Sequence, residues 1–276
     1  MADWAFDAGR RLRWIEAALD LGIDSFDHAD IYGDYTVEAL FGEALALRPE
    51  LRQRMRIVTK CGIRLPSERR PAHRGKSYDT SREHVVASVE ASLRALRTDR
   101  IDLLLIHRPD MLMDAVELAE TFASLRQAGK VLHFGVSNHG PSQLALLHAH
   151  CTLAAHQVEF SPLQLAPLSD GTFDQCQLLG VRAMAWSPLG GGRLFLYSDE
   201  RATRVRDVLE RLAQEHGVSL AMMAYAWILR HPARPHPITG SGREAGLRDA
   251  VAALDIVLTA EEWYAVWEAS SGHPVP

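Results

Sequence analysis

Short apolar runs alternate along this chain with longer stretches in which apolar residues recur every three or four positions. The short runs fall at 23–26 (IDSF), 56–60 (RIVTK), 102–106 (DLLLI), 132–136 (LHFGV), 154–158 (AAHQV), 181–185 (VRAMA) and 236–239 (HPIT) and read as strands. The longer ones read as helices: RRLRWIEAALDL, VEALFGEALAL, SREHVVASVEASLRAL, AVELAETFASLRQAG and PSQLALLHAH, two more near 202–216 and 219–230, and a final TAEEWYAVWEA. Punctuation agrees with the periodicity. Asp79 to Ser81 offer cap residues to the third helix, Gly129 stops the fourth, and Thr259 caps the last.

Strand and helix in regular alternation mean parallel βαβ units. Strands recurring about every 25 to 45 residues, with no break in composition, predict one domain over residues 1–276, a (β/α)8 TIM barrel. An open doubly wound sheet fits less well. It calls for a G-x-G-x-x-G turn after a strand, and LGGGRL lacks both the spacing and the early position. Seven strands are counted where a closed barrel has eight. The chain starts at MADWAF, which reads as the loop after a first strand, so that strand is expected to be missing from this chain and its neighbours to expose unpaired backbone.

Composition narrows the partners. With 276 residues, 47% of them hydrophobic, the chain can fill a large core, and a formal charge of −5 speaks against a nucleic-acid or membrane-binding face. A negatively charged ligand must therefore be met by a local basic cluster. Cys61, Cys151 and Cys176 are odd in number and show no C-x-x-C spacing, so they read as reduced thiols. No apolar run approaches the roughly 18 residues of a membrane span. The expected location is the cytoplasm, and no heptad or apolar stripe predicts an oligomeric state.

One segment concentrates titratable groups. FDHADIYG, residues 26–33, follows the first apolar run, and in a barrel the strand tips carry the active site. Reading the other tips gives Asp27, Asp30 and Tyr32; Lys60; His107, Arg108 and Asp110; Ser137 and Asn138; Gln157 and Glu159; Trp186 and Ser187; and Gly240 to Arg243. Asp27, Tyr32, Lys60 and His107 form a proton-transfer set. A free phenol is a poor donor near neutrality, and a neighbouring ammonium favours its phenolate. Asp27 would hold Lys60 charged, His107 would place a carbonyl, and Tyr32 would protonate an alkoxide as it forms, which suits carbonyl reduction by hydride.

In order and spacing, FDHADIYG, IVTKCG, DLLLIHRPD, FGVSNHGPSQ, HQVEFSPL and AWSPLGGG resemble the aldo-keto reductases, over about residues 8 to 268. The resemblance implies an NADP(H)-dependent reductase of small aldehydes or ketones. Tyr32 would be its general acid, Lys60 and Asp27 the tuning pair, and His107 the carbonyl-orienting group. It further implies that Ser137, Asn138 and Gln157 hold the nicotinamide carboxamide and that Trp186 stacks on the ring. Ser187, Pro188, Leu189 and Gly190 would line the pyrophosphate. TGSGREAGLRDA would take the adenosine phosphate, with Gly240 and Gly242 at backbone contacts and Asp249 near the adenine. This chain has Gly246 where many members carry arginine or glutamine, which leaves Arg243 and Arg248 to meet a 2′-phosphate.

Other readings weigh less. LHAHCTLAAH brings His148, His150, Cys151 and His156 close in sequence, but a helix end running into a strand does not converge ligands, and no metal is expected. DHAD could open a metal-dependent barrel hydrolase, which would need more histidines or acids on later tips than His107 and Asp110. PSERRPAHRGKSYDT reads as a long mobile loop over the site or a solvated connector. A cofactor-sensing subunit is the non-enzymatic alternative, disfavoured by the presence of all four catalytic groups.

Overall fold

The structure, a computed structural model, describes residues 5–196 and 199–275. The chain forms two compact units, Met1–His156 and Gln157–Pro276. In the first, α1 (Ala8–Asp20), β1 (Ser25–Asp27), the short turn α2 (Tyr32–Tyr35), α3 (Val37–Leu45) and β2 (Arg56–Cys61) are followed by the two-residue strands β3 (Ile63–Arg64) and β4 (Ser77–Tyr78). Then come α4 (Arg82–Leu96), β5 (Ile101–Ile106), α5 (Ala115–Gln127), β6 (Val131–Ser137) and α6 (Pro141–His148). β1 pairs with β2, β2 with β5 and β5 with β6, all parallel. This is the alternation that the apolar periodicity predicts.

Branched and aromatic side chains from these strands, among them Ile57, Leu104 and Phe134, are buried against the inward faces of the helices. Phe122 of α5 stacks on Phe134 of β6 with ring centroids 4.1 Å apart. At the opposite end of β2 from Lys60, Arg52 pairs with Asp102 at 2.6 Å, and the same carboxylate accepts from the Ile57 amide at 2.8 Å. That carboxylate fixes the register of β2 against β5 with a charge-assisted contact.

β7 (Ala155–Glu159) crosses the sequence boundary into the second unit, which continues with α7 (Thr172–Leu179), β8 (Arg182–Trp186), α8 (Glu200–His216), α9 (Leu220–Leu229), β9 (His236–Pro237), α10 (Glu244–Ala252) and α11 (Ala260–Ser271). β8 and β9 run parallel, Met184 facing His236 and Ala185 facing Pro237. The core gathers around Trp227, whose ring stacks on Trp263 at 5.0 Å. Each indole N–H donates to the other residue's carbonyl, at 2.9 and 3.1 Å, so the buried Trp227 and the half-buried Trp263 pack together with neither indole N–H stranded.

Three elements differ from expectation. The stretch taken for a bare loop closes its ends as an antiparallel hairpin, Ile63 facing Tyr78 and Arg64 facing Ser77. Two-residue strands carry no detectable alternation, which is why the pattern missed them. The helices α7 and α10 were also unpredicted, both short and interrupted by polar residues. The segment MADWAF, expected to mark an absent first strand, covers residues 1–6, of which 1–4 lie outside the described residues. Among the described residues, no helix is long and apolar enough to cross a membrane.

Gly42 in α3 shows tertiary packing overruling local propensity. In an isolated helix, alanine is better than glycine by about 1 kcal/mol. Here a Cβ at position 42 would stand 2.1 Å from the carbonyl oxygen of Ala95 in α4. Gly42→Ala is therefore expected to destabilise the protein, by about 1–3 kcal/mol, seen as a lower urea midpoint; a raised midpoint would contradict the close approach.

Candidate active site

β1 is only three residues long, but its parallel pairing sets the site. Asp27 stands opposite Val58, and the ladder continues past the strand end through His28 N–H to Val58 O (2.8 Å) and Asp30 N–H to Lys60 O (3.1 Å). The Asp27 carboxylate thus comes beside the Lys60 side chain, which is fully buried. Lys60 Nζ donates to Asp27 Oδ2 at 2.6 Å, to the His28 carbonyl at 2.8 Å and to Tyr32 Oη at 3.1 Å. An ammonium has three donors, and all three are used. Burial opposes the charge, yet Asp27 and Tyr32 outweigh it and hold the Lys60 pKa above its ordinary value.

Tyr32 reaches this lysine from a tight turn. Its amide donates to Ala29 O at 3.1 Å, and the next three residues, Gly33, Asp34 and Tyr35, all take left-handed φ of 57°, 54° and 63°. Left-handed backbone costs a non-glycine residue roughly 1–2 kcal/mol. The turn is held by Thr36 Oγ1, which donates to Gly33 O, and by Tyr35 Oη, which accepts from the Leu65 amide at 2.9 Å.

His107 follows β5, its amide donating to Cys61 O at 2.9 Å, and its ring meets the Tyr32 ring edge-on with centroids 5.8 Å apart. Burial, with Lys60 and Arg108 adding to it, pushes the His107 pKa down to about 3, so the imidazole is neutral at working pH. The loop behind it is tethered by Asp110, which accepts from the Thr80 amide (3.1 Å), the Thr80 hydroxyl (3.0 Å) and the Leu112 amide (2.9 Å).

Further titratable groups lie around the tetrad. Glu38 is buried and accepts from the hydroxyls of Thr59 (2.6 Å) and Ser92 (3.0 Å); burial raises its pKa. Burial, and then Glu38, push Asp30 up to about 8, so that it is mostly protonated at neutrality. Fully buried His28 is driven down to about 3 by burial and Lys60. The arrangement presents a phenol bonded to a buried ammonium, with a neutral imidazole beside it. That is equipment for giving a proton to an oxygen without placing a second positive charge there.

The residues expected around a cofactor are divided between the two units. In the first, Ser137 is buried at the end of β6, and Asn138, at φ 57°, donates from Nδ2 to Ser137 Oγ at 2.7 Å. In the second, Gln157 is buried in β7 and Trp186 ends β8. Ser187 follows at φ 52°, and its carbonyl accepts from the Gly190 amide at 2.8 Å, closing the turn through Pro188 and Leu189. Non-glycine residues with left-handed φ at two strand tips, Asn138 and Ser187, mark strained backbone of the kind that collects at functional sites. Gly190, Gly191 and Gly192 all have positive φ, and a Cβ at Gly190 would stand 2.8 Å from Leu163. Left-handed φ favours glycine at all three positions.

Between Gly240 and Gly242, Ser241 Oγ accepts from the Arg243 amide and donates to the Arg243 carbonyl. A Cβ at Gly246 would meet Ser241 Oγ at 2.2 Å, which accounts physically for the glycine there. Arg248 pairs with Glu244 and Asp249 accepts from Ser219 Oγ at 3.2 Å, whereas Arg243 carries no carboxylate partner among the described residues. The structure brings Asp27, Tyr32, Lys60 and His107 together and gives the two candidate arginines different surroundings. It also adds Tyr35, Glu38 and the Asp110 tether, whose partners lie 30, 21 and 30 residues away in sequence. Among the described residues, no group of three or more His, Cys, Asp and Glu is placed to hold a metal ion.

A sequence model of the Aldo/keto reductase family matches residues 2–270. The chain is 50% identical over 279 residues to Oxidoreductase YdhF of Escherichia coli (strain K12), spanning 100% of this chain and 92% of that protein. It is 42% identical over 265 residues to a 6-dehydroglucose reductase of Agrobacterium fabrum, spanning 95% and 88%. Among solved structures, the glycerol dehydrogenase AKR11B4 from Gluconobacter oxydans superposes with a TM-score of 0.84 at 27% identity, over 99% of this chain and 89% of that one. The α/β barrel class expected from the strand–helix alternation is the class of this fold.

The buried titratable groups set a pH dependence of stability. His28 and His107, at about 3, and His139, lowered by burial to about 4, stay neutral in the folded chain but protonate when it unfolds below about pH 6.5. Asp30 and Glu38, both raised, act in the opposite sense, but the three histidines outnumber them. Between about pH 4 and 6 the unfolded chain therefore binds more protons, and stability falls as pH falls. The urea midpoint should be lower at about pH 5 than at about pH 7; an equal or higher midpoint at the acid value would contradict neutral buried histidines.

Proposed function

Because the chain belongs to the aldo/keto reductase family, a family of oxidoreductases, we propose that it is an NADPH-dependent reductase of an aldehyde or ketone, with Tyr32 as its general acid. The observation that carries this reading is the buried Lys60 ammonium, shared between Asp27 and Tyr32 at 2.6 and 3.1 Å. When bound, the reduced nicotinamide supplies hydride to the carbonyl carbon. Tyr32 gives its phenolic proton to the carbonyl oxygen as charge develops there, and Lys60 stabilises the phenolate left behind. Asp27 keeps Lys60 charged and aimed. His107, neutral, offers its N–H to the same oxygen and orients it. We read residues 1–276 as one domain, since a single family match runs through both units.

The cofactor-facing roles extend the same reading. Ser137, Asn138 and Gln157 would bind the nicotinamide carboxamide, with Trp186 against the ring. Among the described residues, and apart from the adjoining ones in the chain, no heavy atom lies within 4 Å of where a Cβ would stand at Gly191, Gly192 or Gly240, which fits backbone left uncovered for phosphate oxygens. The Ser187–Gly190 turn would take the pyrophosphate, and Gly240, Gly242 and the start of α10 the adenosine phosphate. Arg243 is the better candidate for the 2′-phosphate, because Arg248 is already engaged by Glu244.

Tyr32→Phe is expected to slow carbonyl reduction by about a hundredfold or more, while NADPH still quenches tryptophan fluorescence. Retention of more than about a tenth of the rate would remove Tyr32 from the role. Lys60→Met should lose activity as well and change the pH profile of kcat/KM.

Arg243→Glu should erase an NADPH-over-NADH preference of about tenfold to a hundredfold, the range set by charge-assisted bonds. Arg248→Ala should erase much less. Equal affinity of the unmodified protein for NADPH and NADH would contradict the assignment.

A further inference from the structure

The β3–β4 hairpin holds charge that the proposed chemistry does not use. Residues 64–76, RLPSERRPAHRGK, carry five Lys and Arg with His73 against a single acid, Glu68, in a chain whose net charge is −5. Arg64 is held by Asp79 at 3.2 Å and Arg69 faces Asp34 at 3.8 Å. Arg70, Arg74 and Lys76 are exposed and have no carboxylate partner among the described residues.

Of these, Arg70 is held in place against Tyr35, close in sequence to Tyr32. Tyr35, three residues after Tyr32, accepts from the Leu65 amide at 2.9 Å and stands 3.4 Å from His73 Nδ1. Ser67 and Arg70 form an antiparallel bridge, and the His73 amide donates to Arg70 O at 2.9 Å. The Arg70 guanidinium lies over the Tyr35 ring, 4.8 Å from its centroid. Among the described residues its N–H groups make one hydrogen bond, at 3.5 Å to Arg69 O, which leaves the others for an oxyanion. The Arg70 charge also acts on the carboxyls of Asp30 and Glu38, and Asp30 is bonded to the Lys60 carbonyl.

We infer that this hairpin is a specificity element that reads an anionic group, a carboxylate, phosphate or sulfonate, on the carbonyl substrate, with Arg70 and Arg74 as its ligands. The inference rests on the reductase reading above and names the substrate class for that site. A stacked guanidinium with free edges is preorganised for a forked contact with an oxyanion, and the surrounding cations steer such a substrate in a molecule that otherwise repels it.

The test compares two four-carbon aldehydes, succinic semialdehyde and butanal, which differ by one terminal carboxylate, in the full chain with NADPH. The unmodified protein should favour the carboxylate by about tenfold or more in kcat/KM. That ratio should shrink toward one in Arg70→Ala/Arg74→Ala. It should also shrink in the unmodified protein as ionic strength rises from about 0.01 M to about 1 M, a reading that needs no variant. Reduction of both aldehydes with equal kcat/KM, or a preference that survives both the double substitution and high salt, would overturn this inference and leave the reductase reading standing. Reduction of neither aldehyde, nor of other anionic or neutral carbonyls, would overturn the reductase reading, and this inference with it.

Discussion

A lysine ammonium buried without access to water is the constraint around which the first unit is built. Taking such an ion out of water costs several kcal/mol even after relaxation, and good geometry with every donor satisfied is what offsets it. Lys60 meets both conditions, with its three bonds to Asp27, His28 O and Tyr32. Each bond imposes something on the chain. Asp27 must sit at the tip of β1 in parallel register with β2. The His28 carbonyl must continue that ladder. Tyr32 must return toward the same point, which the chain achieves through the turn that its amide closes on Ala29 O.

The same charge organises the groups around it. His107 is kept neutral by burial and by the field of Lys60, so the tetrad holds one cation rather than two. Asp30, close by, stays mostly protonated because burial and Glu38 oppose its ionisation. Asp27 is the carboxylate that touches Lys60. Arg70 of the β3–β4 hairpin acts on the same two carboxyls, Asp30 and Glu38.

Much of this could be read from residue order. β5 appears in DLLLI, Tyr32 beyond the strand tip in FDHADIYG, and Lys60 at the end of RIVTK, because strands buried on both faces leave unbroken apolar runs and their tips are where polarity returns. The cap at Thr259 was legible for a similar reason: its capping box with Glu262 is local. What escaped was non-local or too short to have a period. Tyr35 looks like part of a polar turn until Leu65 and His73 arrive from the hairpin, and Asp110 looks like one more loop acid until Thr80 reaches it. The unequal standing of Arg243 and Arg248 depends on one helical turn that was not predicted, since only α10 puts Glu244 four residues before Arg248.

The charge state of Lys60 is the quantity on which the account turns, and it can be observed without substrate or cofactor. The chain has only three lysines, Lys60, Lys76 and Lys130, so the side-chain nitrogen of the buried one can be assigned in ¹⁵N NMR by its loss in Lys60→Met. Held by Asp27 and Tyr32, it should keep an ammonium shift from about pH 5 to about pH 9, with its protons slow to exchange. A shift to the neutral-amine position anywhere in that range would mean that burial defeats the ion pair, and would contradict a charged lysine tuning Tyr32.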